Sequence, residues 1–207
     1  MSRNEAVSRT MAALEKNNML PHFVQTAAEV VPLLETLLHS GDTVGVGGSM
    51  TLEACGVLPH LRSGRYRFLD RYAAGLSGDD IGKIYRDCFF ADAYLTSTNA
   101  LTEDGALVNM DGNANRVAAM SFGPKQVIVV AGINKIVPDE AAAKVRIETI
   151  AAPLNAKRLS CKTPCAVTGQ CEHCSGPARI CCTYMVQRQQ RAAGRIHVIV
   201  VNEPLGY

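Results

Sequence analysis

The sequence predicts an α/β protein, a mostly parallel sheet flanked by helices, and three observations carry that expectation. Short β-rich runs alternate with helical stretches along the chain. Gln126-Val-Ile-Val-Val-Ala is apolar without a break, as a strand covered on both faces requires. Thr43-Val-Gly-Val leads into Gly47-Gly48-Ser49 and then a helical stretch near 50–58 that Pro59 should end. That is the strand, glycine turn and helix opening a parallel unit. A chain of 207 residues suits one well-buried core. We therefore expect a single domain over 1–207, with a cysteine-rich insertion at about 160–182.

The other elements follow in order. Val7, Met11 and Leu14 recur at helical spacing and predict a helix over 3–18. A second helix is expected from Thr26, as N-cap, to His39, although Pro32 falls inside it. Tyr66–Leu69 and Ala91–Thr96 read as strands. Asp104-Gly105 signals a hairpin turn within Leu101–Asn109. Helices are expected at 115–122 and 139–150. Thr183–Gln187 and Ile196–Asn202 read as two closing strands around a turn at Gly194.

Composition excludes several classes. A net charge of +2 with scattered basic residues gives no electrostatic case for nucleic acid, and the group Arg188, Arg191 and Arg195 reads as a solvated turn. No stretch approaches the roughly 20 consecutive apolar residues that span a bilayer, so no membrane partner is expected. The polar N-terminus lacks the apolar core of a secretory signal. The expected location is the cytoplasm, a reducing compartment in which eight cysteines favour metal binding over disulfides.

Six of those cysteines, Cys161, Cys165, Cys171, Cys174, Cys181 and Cys182, crowd into one segment rich in turn-forming residues. Pro164, Gly169, Gly176 and Pro177 favour bends that bring thiolates together. Cys171-x-x-Cys174 has the spacing for two sulfurs to grip one metal, and Cys161 and Cys165 complete a four-sulfur shell unless Cys181 or Cys182 replaces one of them. Four thiolates suit an iron–sulfur cluster, expected as 4Fe–4S, with tetrahedral zinc as the alternative. His173 reads as a polar loop residue, and Cys55 and Cys88 as small buried hydrophobes.

A second candidate site is a ligand cleft. Gly47, Gly48 and Ser49 join a strand to a helix N-terminus, where free N–H groups attract an anion. Asn99 follows another strand, and Asn109, Asp111 and Asn113 lead into the helix near Arg116. In an open parallel sheet such loops line one crevice outside the carboxyl ends of the strands. Glu53 reads as exposed and Asp104 as structural. No serine–histidine–acid set supports hydrolase chemistry.

Taken together, Asp42-Thr-Val-Gly-Val-Gly-Gly-Ser-Met-Thr-Leu-Glu, Thr98-Asn-Ala-Leu-Thr-Glu-Asp-Gly-Ala-Leu-Val-Asn, Gly132-Ile-Asn-Lys-Ile-Val and Ala152-Pro-Leu-Asn-Ala-Lys-Arg-Leu resemble the lactate-utilisation (LUD) family over nearly the whole chain. The resemblance implies the fold shared by ribose-5-phosphate isomerase, glucosamine-6-phosphate deaminase (NagB) and CoA-transferases. It also implies an accessory or redox role in lactate or other organic-acid utilisation, beside a redox partner protein. The alternative is an isomerase or transferase acting on a sugar phosphate or CoA-linked substrate, with zinc in the cysteine loop. A small phosphorylated or carboxylate ligand is expected on either reading, and a homo-oligomer is compatible with both. The chain differs from the large iron–sulfur lactate subunits, which carry a separate ferredoxin-like region.

Overall fold

Val7, Met11 and Leu14 lie one turn apart on α1 (Arg3–Lys16) and pack inward, in a computed structural model that describes residues 3–207. Asn18, at φ 59°, turns the chain into β1 (Leu20–Val24). Pro21 and His22 interrupt the apolar pattern of this edge strand, and the sequence does not announce it. A 3-10 turn at Ala27–Glu29 precedes α2 (Val30–Leu37), so the helix starts later than expected and Thr26 makes no side-chain cap. Pro32 thereby falls in the first turn, where its missing N–H has no helical partner to lose.

The chain continues through β2 (Thr43–Val46), α3 (Met50–Ala54), α4 (Val57–Leu61) and β3 (Arg67–Leu69). Helix α5 (Gly78–Asp87) begins at a capping box in which Ser77 and Asp80 satisfy each other's backbone N–H. Then come β4 (Ala93–Thr96), the hairpin β5 (Ala100–Thr102) and β6 (Leu107–Asp111), α6 (Asn115–Ser121) and β7 (Gln126–Gly132). Short β8 (Ile136–Val137) leads to α7 (Glu140–Arg146), which runs through a π turn at Ile147–Ala151 into α8 (Ala152–Arg158). Helix α9 (Pro164–Thr168), β9 (Thr183–Gln187) and β10 (Ile196–Val201) complete the order.

Six strands form one parallel sheet in the order β1-β10-β7-β4-β2-β3. Alternate residues of the central strands feed two cores. Ile128, Val130, Ile199 and Val201 face α2, α3 and α4 through Val30, Leu34, Leu52, Val57 and Leu61. Val127, Val129, Val198 and Val200 face α1 and α6 through Leu14, Ala119 and Met120. Period-two alternation in a sheet covered on both sides explains why the β7 run is wholly apolar.

A second sheet, β8-β5-β6-β9, stands beside the first. Its hairpin turns at Gly105, whose φ of 82° suits glycine. The two closing strands do not pair with each other, contrary to the hairpin-like reading. β9 extends the small sheet antiparallel to β6, whereas β10 enters the large sheet between β1 and β7. Two similar apolar strands joined by a turn carry no local record of which sheet each joins.

Parallel pairing of β1 with β10 brings His22 Nε2 to 2.9 Å from His197 Nδ1, with the rings stacked. Burial, and then His22, push His197 down from 6.5 to about 4, so the folded protein keeps it uncharged. The unfolded chain takes up that proton near pH 6.5, and stability should therefore fall as the pH drops from 6.5 towards 4. The expected slope is about 1.4 kcal/mol per pH unit. Urea midpoints between pH 7 and 4.5 should show this slope in the wild type and lose it in His197→Phe. A flat wild-type profile would mean that the imidazole is hydrated after all.

Candidate active-site cleft and thiol cavity

In the large sheet the strand order reverses between β2 and β4: β3 lies on one side, and β4, β7 and β10 follow on the other. A crevice therefore opens at the carboxyl ends of β2 and β4. It is a cleft of about 350 Å³. Gly48 and Ser49 enter it from β2, Asn99 from β4, and Asp111 and Asn113 from β6, as the sequence suggests. Gly47 and Asn109 lie one layer behind. A Cβ on Gly47 would come within 2.6 Å of Thr96 Oγ1 and 3.0 Å of Arg116 Cδ, so the glycine lets Arg116 lie against the loop. Asn109 is buried, and its Oδ1 accepts from Asn99 N–H and from Arg116, while its Nδ2 lacks a protein partner.

The helix N-terminus expected after Gly48 to attract an anion is short and already capped. Helix α3 has five residues, too few for a strong dipole, and Ser49 Oγ already accepts the Leu52 N–H at 3.1 Å. Positive charge enters the cleft from side chains. Arg71, Arg116, Lys135, Arg158 and Arg179 line the cleft, with Asp111 as the carboxylate among them. Arg158 donates to Tyr207 Oη at 2.6 Å and Asn155 Oδ1 at 2.9 Å. Arg179 donates to the Cys181 and Cys174 carbonyls, and Arg71 lies over the Tyr72 and Tyr85 rings. All these partners are neutral, so none of them offsets the charge.

Arg116 holds the loops together. It donates to Ser97 O, Asn99 Oδ1, Asn109 Oδ1 and Met110 O, and its Nε lies 3.4 Å from Asp111 Oδ2. Lys135 is 2% exposed and donates to Ser97 Oγ at 2.9 Å and Thr98 O at 3.1 Å. Burial, followed by the Arg146 and Arg116 charges, pushes its ammonium down from 10.5 to about 7. Reading by motif misses these cations as a group, because they come from five separate segments with no common spacing. Lys135 and Arg158 fall within segments singled out by sequence, 132–137 and 152–159, and Arg116 lies at the helix start noted there.

The other residues singled out fall elsewhere. Glu53 is exposed on α3, outside the cleft, and Glu103 pairs with Arg9. Asp104 accepts from Thr102 Oγ1 in the hairpin turn. Cys55 and Cys88 are buried, with thiols pushed up to about 11 mainly by burial. Arg195 is no solvated turn residue: it donates to the Met120, Pro124 and Ala119 carbonyls around the end of α6.

The cysteine segment divides. Cys165, Cys171, Cys174 and Cys181 line one cavity of about 60 Å³, with His173 at its rim. The Cys171 N–H bonds the Glu148 carbonyl at 3.2 Å, tying the loop to the π turn. Burial, and then the nearby Cys171, Cys165 and Cys174, push the Cys181 thiol up to about 11. Cys161 lines neither cavity, and Cys182 opens into the cleft. Among the described residues no group of three or more His, Cys, Asp or Glu is arranged to hold a metal ion: the four sulfurs share a cavity, not a common centre. Arg179 and Ile180 line both spaces and form the wall between them.

An open parallel sheet with a cleft at its reversal point defines a class of doubly wound α/β folds. Within that class the chain belongs to the LUD domain family, whose model matches residues 7–201. Its fold is similar to the crystal structure of a DUF162 family protein from Deinococcus radiodurans. That match has a TM-score of 0.57 and 19% identity, and covers 98% of this chain and 99% of that chain. Part of the chain is also similar to eIF2B beta from Chaetomium thermophilum, at 20% identity and a TM-score of 0.39, over 56% of this chain and 44% of that one. No curated protein matches the sequence significantly. Among the described residues no helix is long and apolar enough to cross a membrane.

Proposed function

We propose that the protein is a component of lactate or other organic-acid utilisation that binds a small phosphorylated or carboxylated substrate in the cationic cleft and carries an iron–sulfur centre on the four thiols beside it. The observation that carries the reading is the set of four arginines and one lysine around a 350 Å³ space with one carboxylate among them. Such a field favours a dianionic ligand, and Asn99, Asn113 and Asn155 offer amide groups to substrate hydroxyls or carbonyls.

Cys165, Cys171, Cys174 and Cys181 would hold the centre after a closing movement of their loop. Soft thiolate donors suit iron–sulfur or zinc. When bound, a cluster supplies one-electron exchange with a redox partner protein. The protein's own part is to keep Arg179 and Cys182 in the wall of the cleft. A second reading is favoured by Lys135, an amine largely uncharged above neutral pH: an isomerase or transferase acting on a sugar phosphate or CoA-linked substrate, with zinc in the thiol loop.

The test is anaerobic purification with iron, sulfide and zinc measured on one sample, followed by thermal titration with glycerol 3-phosphate, lactate and CoA. Matching iron and sulfide, lost in the Cys171→Ser/Cys174→Ser double variant, is the expected result. A phosphate ligand at 100 times its Kd should add about 2.7 kcal/mol of stability. Zinc without iron would favour the second reading, and no stabilisation by any anion would reject the ligand assignment.

A further inference from the structure

Lys135 is the buried group with the least structural justification. A lysine sealed from solvent for structural reasons is expected to sit against a carboxylate. Here its hydrogen bonds go to the Ser97 hydroxyl and the Thr98 carbonyl, both neutral. The charged groups acting on it, Arg146 and Arg116, have the same sign as its own ammonium, and the remaining influence is the buried Cys55 thiol. Arg146 is itself held in place by the Asn134 and Asn99 carbonyls. Lys135 nevertheless lines the cleft, together with Ser97, Asn99 and Arg158. A desolvated amine beside other cations is the environment that turns lysine into a nucleophile.

We infer that Lys135 is a catalytic amine that captures the carbonyl of a small phosphorylated aldehyde or ketone as an imine. The inference rests on reading the cleft as an anion-binding site and adds the substrate's reactive group. The neutral nitrogen attacks the carbonyl carbon, a C–N bond forms, and the C=O π pair moves to oxygen. A proton passes from nitrogen to that oxygen to give a carbinolamine. Loss of the hydroxyl with the second nitrogen proton, as water, leaves the imine, and no oxidant or reductant is consumed. Ser97 Oγ, 2.9 Å from Nζ, is placed to relay the proton. The cationic side chains attract the phosphate and so hold the carbonyl near the amine.

The experiment uses the full chain with glyceraldehyde 3-phosphate and sodium cyanoborohydride, which reduces an imine to a stable secondary amine. The expected result is one adduct per chain by intact mass, mapped to Lys135. Inorganic phosphate should suppress it, and unphosphorylated glyceraldehyde should form it at least about tenfold more slowly. Labelling should reach half-maximum near pH 7, well below the ordinary lysine value of 10.5. Lys135→Met should lose the adduct, while the wild type binds glycerol 3-phosphate, which has no carbonyl, without forming one. Adducts spread over surface lysines, or equal labelling of Lys135→Met, would overturn the inference. If glycerol 3-phosphate still binds in that case, the anion-binding reading survives. If no phosphate compound binds, both fall together. Should Lys135→Met fail to fold, the peptide map and pH profile of the wild type decide the question alone.

Discussion

Arg116→Met should lower the stability of the protein by about 3–5 kcal/mol, the cost of removing one partner from a buried ion pair. The guanidinium and the Asp111 carboxylate are 12% and 13% exposed, and the same guanidinium satisfies Asn99, Asn109 and the Ser97 and Met110 carbonyls. Methionine fills similar volume and donates to none of these acceptors, so Asp111 would keep the Gly112 and Val117 N–H groups but lose its opposite charge. Arg116→Lys keeps the charge but not the planar fork, and should recover only part of the loss. Urea unfolding of the three proteins measures the effect. A loss below 1 kcal/mol in Arg116→Met would mean that water enters and replaces the network. Phosphate affinity should fall at least about tenfold in the same variant, because the loops from β4 and β6 lose their common anchor.

Gly132→Ala should be nearly as damaging, for a steric reason. The backbone there is extended, with φ −71°, and suits any residue. The space does not. An added Cβ would lie 2.5 Å from Leu205 N, 2.6 Å from Asn134 Oδ1 and 2.6 Å from the Glu203 carbonyl. Two of these atoms are backbone, and Asn134 is fixed by accepting the Leu205 N–H at 3.0 Å and donating to the Gly206 carbonyl at 3.2 Å. Relief requires moving residues 203–206 away from β7. That movement would carry off the Leu205 carbonyl that accepts from Thr51 Oγ1, and then Tyr207, which meets Arg158 in the cleft. Overpacking of this kind costs about 1–3 kcal/mol and sometimes more. We expect a loss at the upper end, with weaker glycerol 3-phosphate binding, measured by unfolding and thermal titration. Wild-type stability in Gly132→Ala would show that the C-terminal segment is not locked against β7.

Both predictions concern residues that stand out little in the sequence, and this shows where its information ends. Local patterns determined much by themselves. The unbroken apolar run of β7 demanded a doubly covered strand, Gly47-Gly48-Ser49 marked the turn from β2 to α3, and Asp104-Gly105 marked the hairpin, because each depends on neighbouring residues alone. Ser77 and Asp80 announced α5 through an equally local capping box, a signal present though not used. Tertiary structure decided the remainder. It assigned β9 and β10 to different sheets, made Leu20–Val24 an edge strand through pairing with β10, and placed Pro32 in the first turn of α2. It also gathered Arg71, Arg116, Lys135, Arg158 and Arg179 around one cleft, and separated Cys182 from the four thiols that share a cavity. Charge convergence and burial depend on how distant segments pack, whereas turn, cap and periodicity signals are set within a few residues of chain.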